Sequence, residues 1–139
     1  MKRGGWLRRR LPARLEAVDA LCAELRESLL SEAPESERFG VELLLREALT
    51  NAVVHGARQQ PGSYVSCEIR PIAGGIEMRI ADTGEGFDWR ARLEALPEPL
   101  AECGRGLNIL HHYSSDFRFN EKGNRLQVTR VFRRGEGHA

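Results

Sequence analysis

Glu47-Ala-Leu-Thr-Asn51-Ala-Val-Val-His55-Gly56 is the stretch on which the reading of this chain turns. Its carboxylate, carboxamide and imidazole recur at every fourth residue, so on a helix they fall along one side over roughly 12 Å of rise. Leu43, Leu44, Leu45, Ala48, Leu49, Ala52, Val53 and Val54 make most of the remaining circumference apolar, the pattern of a helix packed on a sheet or another helix. A polar stripe on a helix otherwise made for burial costs roughly 1–3 kcal/mol for each group left unpaired. The stripe must either reach solvent at an edge or line a binding site.

Working outward, the run that carries the stripe starts after the break Ser31-Glu-Ala-Pro34-Glu-Ser36 and ends near Gly56, read as a helix stop. Before it, Leu15, Val18, Leu21, Cys22, Leu25 and Leu29 recur at threes and fours, which predicts an amphipathic helix from Ala13 to about Leu30. Lys2, Arg3, Arg8, Arg9 and Arg10 surround Trp6 and Leu7 ahead of Pro12 and read as a solvated end or a short edge strand. After the turn at Gln59-Gln-Pro61-Gly62 the period changes to two. Val65, Cys67 and Ile69 alternate with polar residues, and beyond Gly74-Gly75 so do Ile76, Met78 and Ile80, a hairpin with one apolar face. Asp82 continues the apolar row of the second strand. Residues 88–103, with Pro97 and Pro99, read as a loop or cover; Leu107–Tyr113 reads as a short helix, and Phe117–Phe119 and Leu126–Phe132 as two strands joined by Glu121-Lys-Gly123-Asn124. Blocks of helices and paired strands predict an α+β two-layer sandwich, a mixed or antiparallel sheet with helices on one face.

The composition sets bounds. The 139 residues, 41% hydrophobic and 29% charged, suit one globular domain spanning 1–139 with its core at about 13–133. With 21 basic and 20 acidic side chains the net charge is +1, which gives no bulk attraction to nucleic acid or anionic membrane. No apolar run approaches a membrane span, and Met1–Arg10 lacks the apolar segment of a secretory signal; a cytoplasmic protein is expected. Cys22, Cys67 and Cys103 are odd in number and widely spaced, against both a disulfide framework and a zinc site.

Two glycine pairs mark places where backbone can come close to a ligand: Asp82-Thr-Gly84-Glu-Gly86 at a strand end and Gly104-Arg-Gly106-Leu107 at a helix start. The second offers unpaired N–H groups, the positive end of a helix dipole and the Arg105 charge to an anion, as phosphate binding requires. Neither is a P-loop or a dinucleotide fingerprint.

Glu47 and Asn51, then Asp82-x-Gly84-x-Gly86, then Gly104-x-Gly106-Leu107 follow the order of the N, G1 and G2 boxes of the ATPase superfamily shared by gyrase, heat-shock protein 90, histidine kinases and mismatch-repair MutL. The chain resembles that superfamily over roughly residues 13–133. It looks most like the small anti-sigma factor serine/threonine-protein kinases of bacterial partner-switching systems, through the segments REALTNAVVHGA, IADTGEGFD and GRGLNIL. The resemblance implies the Bergerat ATP-binding fold, with ATP and Mg²⁺ as cofactors. By position, Asn51 would coordinate Mg²⁺ and Asp82 would accept a hydrogen bond from the adenine amino group. Gly84 and Gly86 would admit base and ribose, Gly104, Arg105, Gly106 and Leu107 would hold the phosphates, and Thr129 would assist at the adenine. Glu47 would be the catalytic base, and His55 is read as structural. The implied partners are a sigma factor and a STAS-type anti-anti-sigma protein, with no direct nucleic acid or membrane contact and with a possible homodimer through the first helix and N-terminal strand. An ATP-binding switch without kinase activity and a detached histidine-kinase catalytic domain are the alternatives. The cover carries no Lys; Arg90, Arg92 and Arg105 are the cations near the phosphate segment in sequence.

Overall fold

A computed structural model of the chain describes residues 5–57, 60–84 and 105–133. The elements are β1 (Leu7–Pro12), α1 (Leu15–Arg26), a 3-10 turn (Leu29–Glu32), α2 (Glu35–Asn51), a π turn (Ala52–Gly56), β2 (Tyr64–Ile72), β3 (Gly75–Asp82), α3 (Arg105–Tyr113), β4 (Asp116–Phe119) and β5 (Arg125–Val131). The strands form one sheet in the order β1-β2-β3-β5-β4, and all four pairings are antiparallel. The α+β sandwich read from the sequence is therefore present, with a fully antiparallel sheet.

Period two decides which side of the sheet meets the helices. Val65, Cys67 and Ile69 of β2 pair in register with Asp82, Ile80 and Met78 of β3; Ile80 and Met78 pair with Leu126 and Val128 of β5. These apolar side chains are buried and share one core with Val18, Leu21, Cys22 and Leu25 of α1 and with Val41, Leu44, Leu45, Ala48 and Leu49 of α2. Burying a residue of this size is worth roughly 1.5–3 kcal/mol, so this single apolar face holds the two layers together. Cys22 and Cys67 are free, buried thiols inside it, and burial pushes the Cys67 thiol up to about 12.

Both early helices differ from the sequence reading at their ends. The expected Ala13–Leu30 helix is shorter, because Arg14 is still extended and the chain tightens into the 3-10 turn after Arg26. α2 begins after Pro34, with Glu35 and Glu37 in its first turn, where carboxylates suit the helix dipole. Its last turn widens, the Ala57 N–H donating to the Ala52 carbonyl at 2.8 Å. The helical run does end at Gly56, as read from the sequence, although not in the left-handed conformation: the described glycines with positive φ are Gly62, Gly74 and Gly123. The reason for Gly56 is space, as shown below.

A buried ion pair ties α2 to the far end of the sheet. The Arg130 Nε donates to the Glu37 carboxylate at 2.8 Å, and its Nη1 donates to the Tyr113 carbonyl at the end of α3 at 2.6 Å. Gly40 leaves room for the guanidinium, which lies 3.2 Å from where a Cβ would stand. Among the described residues no helix is long and apolar enough to cross a membrane.

Candidate functional site

The carboxyl end of α2 and the end of β3 meet at a small cavity lined by Ala48, Asn51, Ala52, Ile80, Asp82 and Asn124, among others. Asn51 is 8% exposed. No hydrogen bond joins its carboxamide to another described residue, whereas Glu37, the other buried polar side chain among the described residues, is paired with Arg130. An orphaned carboxamide on a cavity wall costs about 1–3 kcal/mol and is suited to meet a ligand. Among the described residues there is no cluster of three or more His, Cys, Asp or Glu side chains that could hold a metal. The donor set fits a hard cation that keeps several waters and takes few protein oxygens, as Mg²⁺ does.

Asp82 faces Asn51's side of the sheet, because it continues the inward row Ile76, Met78, Ile80 and pairs with the buried Val65. Its Oδ1 accepts the Gly84 N–H at 2.7 Å, which leaves Oδ2 for a further donor. Burial raises the Asp82 carboxyl above its usual range, and the Gly84 hydrogen bond opposes that rise. The approach of the chain here is close. A Cβ on Gly56 would overlap the Asp82 carboxylate, and one on Gly84 would overlap the Gly56 carbonyl. The π turn carries Gly56 against the strand end, and only glycine fits at either contact.

The turn between β4 and β5 completes the wall and is the part that sequence reasoning did not assign to the site. Asn120 Oδ1 accepts the N–H groups of Gly123, Asn124 and Arg125 at 2.8, 3.0 and 3.1 Å, while its Nδ2 donates to Asn124 Oδ1 at 2.8 Å. Asn124 in turn donates from Nδ2 to the Gly84 carbonyl at 3.2 Å, and its own carbonyl accepts the Asp82 N–H at 3.0 Å. The signal was present as Asn120-Glu-Lys-Gly-Asn124, two amides bracketing a turn, a pattern that favours side-chain to backbone bonds.

The remaining expected site residues fall as follows. Glu47 lies one helical turn before Asn51 and is partly buried, as is His55 in the π turn. Arg105, Gly106 and Leu107 form the first turn of α3, whose backbone packs chiefly on α2. Gly86, Gly104 and the 88–103 cover lie outside the described residues, as does Cys103. Thr129 is not brought to the cavity. It pairs with Glu77, so it points away from the helices, five residues up the strand from Asp82's level, about 17 Å at the usual rise.

Comparison with known proteins gives a consistent picture. Residues 11–130 match the family described as the histidine kinase-like ATPase domain. An anti-sigma F factor from Heyndrickxia coagulans is 30% identical over a stretch covering 58% of this chain and 58% of that protein. The chain thus spans little more than half the length of the curated relative it matches. With the family match covering every described element from the end of β1 to β5, this chain belongs to the histidine kinase-like ATPase family.

Proposed function

We propose that this protein is an ATP- and Mg²⁺-dependent serine/threonine-protein kinase of the anti-sigma type, which binds a sigma factor and phosphorylates a STAS-type antagonist. The observation that carries the reading is the orphaned, buried Asn51 carboxamide sharing a cavity with the half-buried Asp82. The Asp82 carboxylate accepts only, so it pairs with the adenine amino group and repels a carbonyl at the same place. Gly84 and Gly56 allow the close chain approach that keeps the carboxylate in that position; Gly84 and Gly86 would also admit the base and ribose. The Asn51 carboxamide oxygen is a hard donor for Mg²⁺, which when bound offsets charge on the phosphates. The first turn of α3, with Arg105, Gly106 and Leu107, presents N–H donors and a positive dipole end to the phosphates, and Gly104 would join them.

Glu47 takes the proton from the attacking Ser or Thr hydroxyl; that oxygen bonds to the γ-phosphorus as the bond to the ADP oxygen breaks. Support for the regulatory side comes from the 30% identity to an anti-sigma F factor. Residues 1–139 act as one cytoplasmic ATP-binding unit in this reading, and α1 with β1 forms a homodimer contact. Thr129 has no part in it.

Transfer of labelled phosphate from ATP to a STAS-domain protein tests the reading. Wild type transfers it, and Glu47→Gln, which cannot take the proton, is slower by roughly 10²- to 10⁴-fold. ATP binding with no transfer leaves a switch that uses nucleotide only to change partners. An acid-labile phosphoprotein product identifies a histidine as acceptor, as in a detached histidine-kinase catalytic domain.

A further inference from the structure

The face of the sheet turned away from the helices is as specialised as the face that meets them. By register it carries Arg8 and Arg10 on β1, Tyr64, Ser66, Glu68 and Arg70 on β2, Glu77 and Arg79 on β3, Asp116 and Arg118 on β4, and Arg125, Gln127 and Thr129 on β5. Among the described residues six arginines stand against three carboxylates there, while the whole chain sums to +1. All three carboxylates are already engaged within the face. Glu68 lies 2.8 Å from Arg8 and 3.9 Å from Arg79. Glu77 lies 2.9 Å from Arg70 and accepts from Gln127 at 2.6 Å, and Asp116 lies 3.5 Å from Arg118. The excess positive charge is left facing outward. A concavity sits in this face, lined by Ser66, Glu68, Arg79, Arg118, Arg125 and Gln127 among others; it shares Ile80, Phe119, Arg125 and Leu126 with the lining of the Asn51–Asp82 cavity, whose Asn51 and Asp82 side chains belong to the other face of the sheet.

We propose that this outward sheet face is a docking surface for an acidic protein segment, separate from the nucleotide site. Arginine forks pair with carboxylates in two parallel hydrogen bonds, and an unbalanced basic face both steers and orients an acidic partner. A second copy of the chain is a poor occupant, since a two-fold contact would set the same excess of positive charge against itself. Nucleic acid fits less well. The aromatic rings that could stack on bases carry guanidinium groups instead, Arg10 over Tyr64 at 3.5 Å, and Arg70 and Arg79 over Trp6 at 4.4 and 4.3 Å.

The test is a titration of the full ¹⁵N-labelled chain with a synthetic 15-residue Asp/Glu-rich peptide, followed by amide chemical shifts. Saturable shifts are expected at Ser66, Arg79 and Gln127. Affinity should fall at least tenfold in Arg79→Glu/Arg118→Glu and by a smaller factor in the conservative Arg118→Gln, which keeps the fold. Binding of a non-hydrolysable ATP analogue should be unchanged in both variants, so failure of the nucleotide reading and failure of this one are separately visible. Shifts confined to the helices, or equal peptide affinity in both variants, overturn the proposal. So does tighter binding of a single-stranded oligonucleotide of the same charge, or self-association through this face.

Discussion

At the scale of single residues, the site rests on Asn51 and Asp82, and each makes a distinct prediction. Because the Asn51 carboxamide is buried without a described partner, replacing it by an apolar group of similar shape removes a cost. Asn51→Leu should leave the unliganded protein as stable as wild type or up to about 2 kcal/mol more stable, while abolishing nucleotide binding. Urea unfolding and equilibrium binding on the same preparation check the two halves. Asp82 predicts a pH effect. Burial raises its folded pKa, so on acidification it is protonated earlier than an ordinary carboxylate and loses its acceptor. ATP affinity should fall from neutral toward mildly acidic pH in wild type, and this component should vanish in Asp82→Asn. The stability sign is opposite. A group with a raised folded pKa favours the folded state as pH drops, and that contribution is lost as pH rises through the folded value. Both residues were legible in the sequence, Asn51 from fourfold spacing and Asp82 from the parity of its strand. Thr129, taken from the resemblance as an adenine contact, alternates with the inward Leu126 and Val128 and pairs with Glu77 on the other face. Gly56 was legible as a glycine but not in its reason, because its neighbour Asp82 lies 26 positions away and only the assembled fold brings the two together.

At the scale of elements, α2 is fixed at both ends by contacts that no local pattern announces. Its carboxyl end widens into the π turn that places Gly56 at the Asp82–Gly84 loop, and its amino end holds Glu37 against Arg130. The side chains of this pair are 13% and 5% exposed, so removing one partner strands a buried charge. Arg130→Ala should cost about 3–5 kcal/mol, read as a lower urea midpoint. Replacing both partners by Met should recover much of the loss. Because Arg130 also donates to the Tyr113 carbonyl and is lost in both variants, amide exchange at the end of α3 should quicken in both, including the double variant whose midpoint recovers. A result in which both variants unfold at the wild-type midpoint would show that the pair contributes nothing. The partners are separated by 93 positions, which is why the sequence announced neither the pair nor the role of Gly40 in admitting it. Helix and strand periodicity, by contrast, placed α1, α2 and strands β2 to β5, whereas β1 was left open between a solvated end and an edge strand and the 3-10 and π turns were not read at all.

At the scale of the whole molecule, one antiparallel sheet separates two kinds of surface. Its apolar face, covered by α1 and α2, ends at a polar cavity where helix and strand ends converge; its other face is charged and open to the arginine chemistry described above. The fold class followed from composition and period alone, whereas the division of the charged face required strand register, since a shift of one residue exchanges the two faces. The central claim concerns the first surface: the Asn51–Asp82 cavity recognises adenine through an acceptor that a guanine carbonyl would repel. Equilibrium binding of ATP and GTP to wild type and Asp82→Asn tests it most directly. The account expects wild type to bind ATP at least about 100-fold more tightly than GTP and Asp82→Asn to lose about 10- to 100-fold in ATP affinity, the worth of one charge-assisted hydrogen bond. Equal affinity for the two nucleotides in wild type, or ATP affinity unchanged in Asp82→Asn, would contradict it.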